Sequence, residues 1–114
     1  MADLNQVIHQ PVRLRIMATL TALETGAQLE FTHLRSLLKV TDGNLGAHLR
    51  KLEAAGYITL QKAFLGRKPY TYAETTPLGQ HAFADHLAAL AEILQGEQTA
   101  GRDPATYAAS DPST

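Results

Sequence analysis

Apolar side chains recur along the chain with two different periods, and the places where the period changes mark its elements. Leu4, Val7 and Ile8 predict a short helical lead-in. Pro11 follows, well suited to a helix's first turn, where its missing N–H costs nothing. Val12, Ile16, Leu20 and Leu23 then recur at helical spacing up to Gly26, a residue that accepts positive φ, so a first helix is predicted over about 11–25. After an extended stretch at Gln28 to Glu30, the spacing of Phe31, Leu34, Leu37 and Leu38 predicts a second helix over about 31–39. Thr41 reads as an N-cap, Leu45, Leu49 and Leu52 form an inward stripe, and a third helix is predicted over about 41–55, ended by Gly56.

The period then falls from 3.6 to 2. Tyr57 to Leu60 and Tyr70 to Ala73 have the β-branched and aromatic content of strands, and the turn Leu65-Gly66-Arg67-Lys68-Pro69 between them predicts a hairpin with a basic tip. Thr76-Pro77 repeats the signal of cap and proline. Phe83, Leu87, Leu90 and Leu94, joined by His86 and Ile93, predict a long C-terminal helix. From Gly96 onward large apolar residues almost vanish, so a domain over 1–95 and a disordered tail over 96–114 are expected. The expected class is mainly α with a small β-hairpin (α+β).

Charge sharpens this outline. The 114-residue chain has a net charge of -1, but the sum hides a division. Between His33 and Tyr70 seven basic residues stand against two acidic ones; the rest of the chain has three basic residues against nine carboxylates. A basic middle between acidic arms is the footprint of a polyanion-binding face. No apolar run is long enough to span a bilayer, and no membrane partner is expected. The absence of cysteine removes disulfides and thiolate metal sites, and neither a basic leader nor an apolar signal core opens the chain, so a cytoplasmic location is expected.

Helix, helix, short turn, helix and a hairpin with a basic tip, then another helix, is the order of a helix-turn-helix followed by a wing. The segment from Thr41 to Ile58, continued by Lys62, Gly66-Arg67-Lys68-Pro69, Thr71 and Thr76-Pro77-Leu78-Gly79, resembles winged-helix regulators of the MarR and ArsR type. It is most similar to the compact branch that consists mainly of a DNA-binding domain, and the similarity covers about residues 5–94. The turn at Lys39-Val40 departs from the pattern in lacking the glycine often found between the two helices.

The resemblance implies a homodimeric regulator, a repressor, of double-stranded DNA, with the recognition helix at about 41–55 in the major groove and the wing at about 62–70 on the backbone or minor groove. With Leu45, Leu49 and Leu52 inward, 100° per residue turns Gly43, Ala47 and Arg50 outward and sets Asn44, His48 and Lys51 on one flank. Asn44 suits a bidentate contact to adenine, Arg50 and Lys51 suit guanine edges or phosphates, and His48 can donate to a base or phosphate. Arg67 and Lys68 suit phosphates or a narrow minor groove, and Lys62 and Arg35 the backbone. Thr32 and Thr41 can donate to phosphates besides capping, and Asp42 lies in the same recognition segment. Gly43 and Gly46 each cost their helix about 1 kcal/mol relative to alanine, which either close approach to the groove wall or tight packing on the second helix would explain. Leu4, Val7, Ile8, Phe83, Leu87, Leu90 and Leu94 form the candidate dimer interface.

Other classes are less well supported. No cysteine nucleophile, glycine-rich phosphate cradle or local Ser/His/carboxylate arrangement marks an enzyme. His81 and Asp85 at i, i+4, with His86 adjacent, fall short of the three or four converging ligands of a metal site, and His86 belongs to the apolar stripe. Neither a metal nor a cofactor is expected. A winged helix used only as a protein–protein adaptor would have no need of a basic tip, and a regulator answering to a metal, a small-molecule effector or a protein effector is a further alternative, its effector unreadable here.

Overall fold

The computed structural model describes residues 3–101. Its elements are α1 (Pro11–Thr21), β1 (Leu29–Glu30), α2 (Phe31–Leu38), α3 (Asp42–Ala54), β2 (Ile58–Leu65), β3 (Lys68–Thr75) and α4 (Pro77–Gly101). The strands form one antiparallel sheet in the order β1-β3-β2. Ile16, Met17 and Leu20 of α1, Leu34 and Leu38 of α2, and Leu45, Leu49 and Leu52 of α3 converge with Ile58 and Ala73 of the sheet in a single core. Each fully buried leucine or isoleucine there contributes about 1.5–3 kcal/mol by leaving water.

Four expectations of extent change. The N-terminal lead-in is a turn over residues 6–8 and not a helix. The Asn5 side-chain oxygen accepts from the N–H groups of Val7 and Ile8 at 2.9 and 3.0 Å and its carbonyl from His9 N–H at 2.7 Å, but one turn is all that forms, because Gln10 N–H bonds back to the Ile8 carbonyl at 2.7 Å and Pro11 begins α1. The Asn5 backbone N–H donates to Nδ1 of buried His86 on α4 at 3.0 Å, and its amide donates to the Tyr57 hydroxyl at 2.8 Å. Asn5 thereby straps the N-terminal segment to both α4 and the end of α3.

The first helix stops at Thr21 and not at 25. The chain leaves it by tight turns, with Leu23 N–H bonded to the Leu20 carbonyl at 3.2 Å and Ala27 N–H to that of Glu24 at 2.9 Å. Leu23 still packs on the core, so the apolar period outlasts the helix.

The wing is longer than expected. Its ladder runs unbroken from Ile58↔Thr75 to Leu65↔Lys68, so Leu65, Lys68 and Pro69 are strand residues and the turn is only Gly66-Arg67. Gly66 has φ +67° and Arg67 does not enter positive φ, as a two-residue type II′ turn requires. Pro69 is tolerated because β1 pairs β3 only at Tyr72 and Ala73, leaving the outer edge open beside the proline.

Finally, α4 runs on through Gly96 to Gly101, past the boundary expected at 95, because extending a formed helix adds a hydrogen bond for each residue fixed. The remainder of the expected tail, 102–114, lies outside the described residues.

Candidate nucleic-acid interface

Position in the recognition segment is set by α2 and α3 and by the turn between them. Lys39 makes that turn in the left-handed region, at φ 56° and ψ 50°, doing with a side chain what glycine does more cheaply. Thr41 caps α3, its hydroxyl accepting from Asn44 N–H at 3.2 Å. Leu45, Leu49 and Leu52 are buried, which leaves Gly43, Asn44, Ala47, Arg50 and Lys51 exposed on the opposite side, as the helical wheel predicts.

The two flanks of α3 differ. On one, His48 is half-buried and its Nδ1 accepts from the Arg13 guanidinium at 3.0 Å. Burial, together with the charges of Arg13 and Lys51, holds His48 below the usual histidine range. A neutral ring whose Nδ1 accepts must carry its proton on Nε2, which makes Nε2 a donor. Arg13 also donates through Nε to the Val7 carbonyl, so α1 links the N-terminal strap to this flank.

On the other flank, α3 and the wing enclose a cleft of about 280 Å³ lined by Phe31, Gly46, Leu49, Arg50, Leu60, Lys62 and Thr71. The structure thus brings Arg50 and Lys62 to one cleft from opposite sides, a pairing of helix and wing that residue spacing does not reveal. Arg67 occupies the wing turn, and Lys62, Arg67 and Lys68 are all exposed.

Three other candidates are engaged within the protein. Arg35 donates to Asp42 at 2.5 Å, an exposed ion pair that joins α2 to the first turn of α3. It takes up one of the cations assigned to the backbone and neutralises the carboxylate nearest the recognition face. The Thr32 hydroxyl donates to the carboxylate of Glu30, which is the N-cap of α2. No local signal in the sequence pointed to either partnership.

The candidate dimer residues divide. Ile8 is fully buried in the chain's own core, and Val7 and Phe83 pack against that core, while Leu4 is half-buried. Leu87 and Leu94 of α4 are 46% and 60% exposed, Ile93 is 37% exposed, and Leu90 is half-buried.

The family described as winged helix DNA-binding domain matches residues 12–94, the span from α1 through most of α4. The chain belongs to that family. It is 36% identical over 90 residues to an uncharacterised protein of Methanocaldococcus jannaschii, covering 79% of this chain and 91% of that one. Among solved structures it is similar to a transcriptional regulator homologue from Pyrococcus horikoshii OT3, with a TM-score of 0.73, 30% identity and coverage of 81% and 88% of the two chains. It is also similar to a candidate MarR-family regulator from Enterococcus faecalis V583, with a TM-score of 0.60, 26% identity and coverage of 85% and 82%. The fold and the resemblance to MarR- and ArsR-type regulators read from the sequence both stand, and this winged helix is a DNA-binding regulator domain. Among the described residues no helix is long and apolar enough to cross a membrane.

Proposed function

We propose that the chain is a cytoplasmic, homodimeric regulator that recognises a specific double-stranded DNA sequence and represses by occupying it. In this reading α3 enters the major groove, with Asn44 reading a base and Arg50 reaching a guanine edge or a phosphate. The wing lies on the adjoining backbone or minor groove. The observation that carries the reading is the single cleft shared by Arg50 of α3 and Lys62 of the wing, beside the exposed Gly43, Asn44 and Ala47. Two elements that approach DNA in different ways present cations to the same space.

The dimer uses α4. Leu87, Leu90, Ile93 and Leu94 give that helix an apolar side that the subunit's own core does not cover, and a two-fold pair would double the DNA contact. Light scattering at micromolar concentration is expected to give a dimer mass, and a monomer there would overturn the assignment.

One titration series tests the DNA reading. Asn44→Ala should cost about 1–3 kcal/mol on a preferred duplex and little on random DNA, because it removes base readout without removing charge. Arg67→Ala should weaken binding to most sequences and lower the slope of log affinity against log salt by about one per lost phosphate contact. Both side chains are exposed, so the fold should survive both changes. Binding and salt slopes identical to those of the parent would remove this face from the DNA site and favour the adaptor alternative.

A further inference from the structure

The wing ends in an unusual surface. Phe64 and Leu65 are 67% and 74% exposed, the two most exposed large apolar side chains among the described residues. They lie on a hairpin with Lys62, Arg67 and Lys68, and no acidic residue occurs between Glu53 and Glu74. Two bare apolar side chains cost solubility and contribute nothing to the core, so their place at the tip calls for a partner. The surrounding charge gives that partner's chemistry. It is a polyanion, and one with an apolar interior within reach, which describes the stacked bases of a duplex entered from the minor groove.

The ladder fixes which way each side chain points. Successive strand residues face opposite sides, so Phe64 shares a face with Lys62 and with its cross-strand partner Pro69, while Leu65 and Lys68 share the other. Lys62 and its partner Thr71 border the cleft with Gly46 and Arg50, so Phe64 continues the face that looks toward α3. The tip therefore carries bulk on both sides. A ribbon with large side chains on both faces is much thicker than its bare backbone, and the minor groove it would meet is only about 6 Å wide. Such a tip enters only by widening the groove.

Building on the DNA-regulator reading, we propose that Phe64 and Leu65 form an apolar wedge that the wing drives into the minor groove, unstacking a base step and bending the duplex, with Arg67 and Lys68 holding the flanking phosphates. The wedge favours flexible pyrimidine–purine steps beside the site read by α3, and so adds sequence preference at positions that no hydrogen bond reads.

The test uses the full chain and a duplex of about 30 base pairs, recovered by that chain from a randomised pool and labelled at both ends for energy transfer. The parent should shorten the end-to-end distance on binding. Phe64→Ala and Leu65→Ala should leave the duplex straighter and bind about tenfold more weakly, with an unchanged salt slope because no charge is removed. Both residues lie outside the core, and unchanged thermal melting will confirm that the fold is intact. A parent that binds without bending, or variants that bind and bend as it does, overturns the wedge and leaves DNA regulation standing. Failure to recover any duplex overturns DNA regulation, and the wedge with it.

Discussion

The joint where α4 begins and the outer face of α3 both contain glycine, and they use it in opposite ways. At the joint, the Thr76 hydroxyl donates to the Gly56 carbonyl at 2.6 Å and accepts from Gly79 N–H at 2.9 Å, while Thr76 N–H donates to the Tyr57 carbonyl at 3.1 Å. The helix is pressed so close to the α3–β2 turn that a Cβ on Gly79 would lie 2.0 Å from the Tyr57 carbonyl oxygen. On α3, a Cβ on Gly43 would meet nothing within 4 Å, and one on Gly46 only the flexible end of Arg50, at 3.3 Å. The first glycine is required by the fold. The other two weaken a helix that has room for alanine, and packing on α2 does not explain them. A cost that folding does not require points to a use beyond the fold, and we propose close approach to a groove wall as that use.

The largest expected effect is therefore at the joint. Gly79→Ala forces a methyl group into a backbone carbonyl that cannot swing aside, and it should destabilise the fold by about 2–3 kcal/mol, read as a drop in the midpoint of chemical unfolding. A loss under about 0.5 kcal/mol would show that the joint yields and would erase the contrast.

Gly43→Ala sharpens the comparison from the other side. It should stabilise the protein by up to about 1 kcal/mol through helix propensity, while weakening binding to a preferred duplex. Paired melting and DNA titrations decide it, since a gain in stability with unchanged binding would leave this glycine without a function.

Legibility in the sequence follows the range of the interactions. The inward stripe of α3, its cap at Thr41 and the start of α4 at Thr76-Pro77 were readable because each depends on neighbours within a turn or two. The apolar period sets the end of α1 too late because Leu23 keeps that period while packing from a turn. Alternation leaves the wing's strands short because period 2 marks a strand only where one face is buried, and both faces of the ribbon from Gln61 to Pro69 are exposed. The outward residues of α3 were legible from the wheel. Their partners were not, because Arg13 lies 35 residues from His48, and Asn5 lies 81 from His86. Nor does spacing reveal the distance from Gly79 to Tyr57, which depends on how two distant segments dock.

Lys39 gives the smallest effect and a third kind of position, strained like a functional site but accounted for by the turn alone. It is the one non-glycine residue with positive φ among the described residues, its N–H bonded to the Arg35 carbonyl at 2.8 Å to close α2. The left-handed conformation costs a side-chain-bearing residue about 1–2 kcal/mol, whereas glycine adopts it freely and loses about 0.4–1 kcal/mol through the greater freedom of its unfolded chain. Lys39→Gly should therefore leave a net gain of about 0.5–1 kcal/mol, a rise of a few degrees in melting temperature for a domain of this size. The side chain is exposed, so the substitution opens no cavity that would mask the gain. A fall in melting temperature would mean that the Lys39 side chain stabilises the turn by more than its backbone strains it, and strain at the helix-turn-helix corner would then no longer be separable from side-chain contacts as a cost set by topology alone.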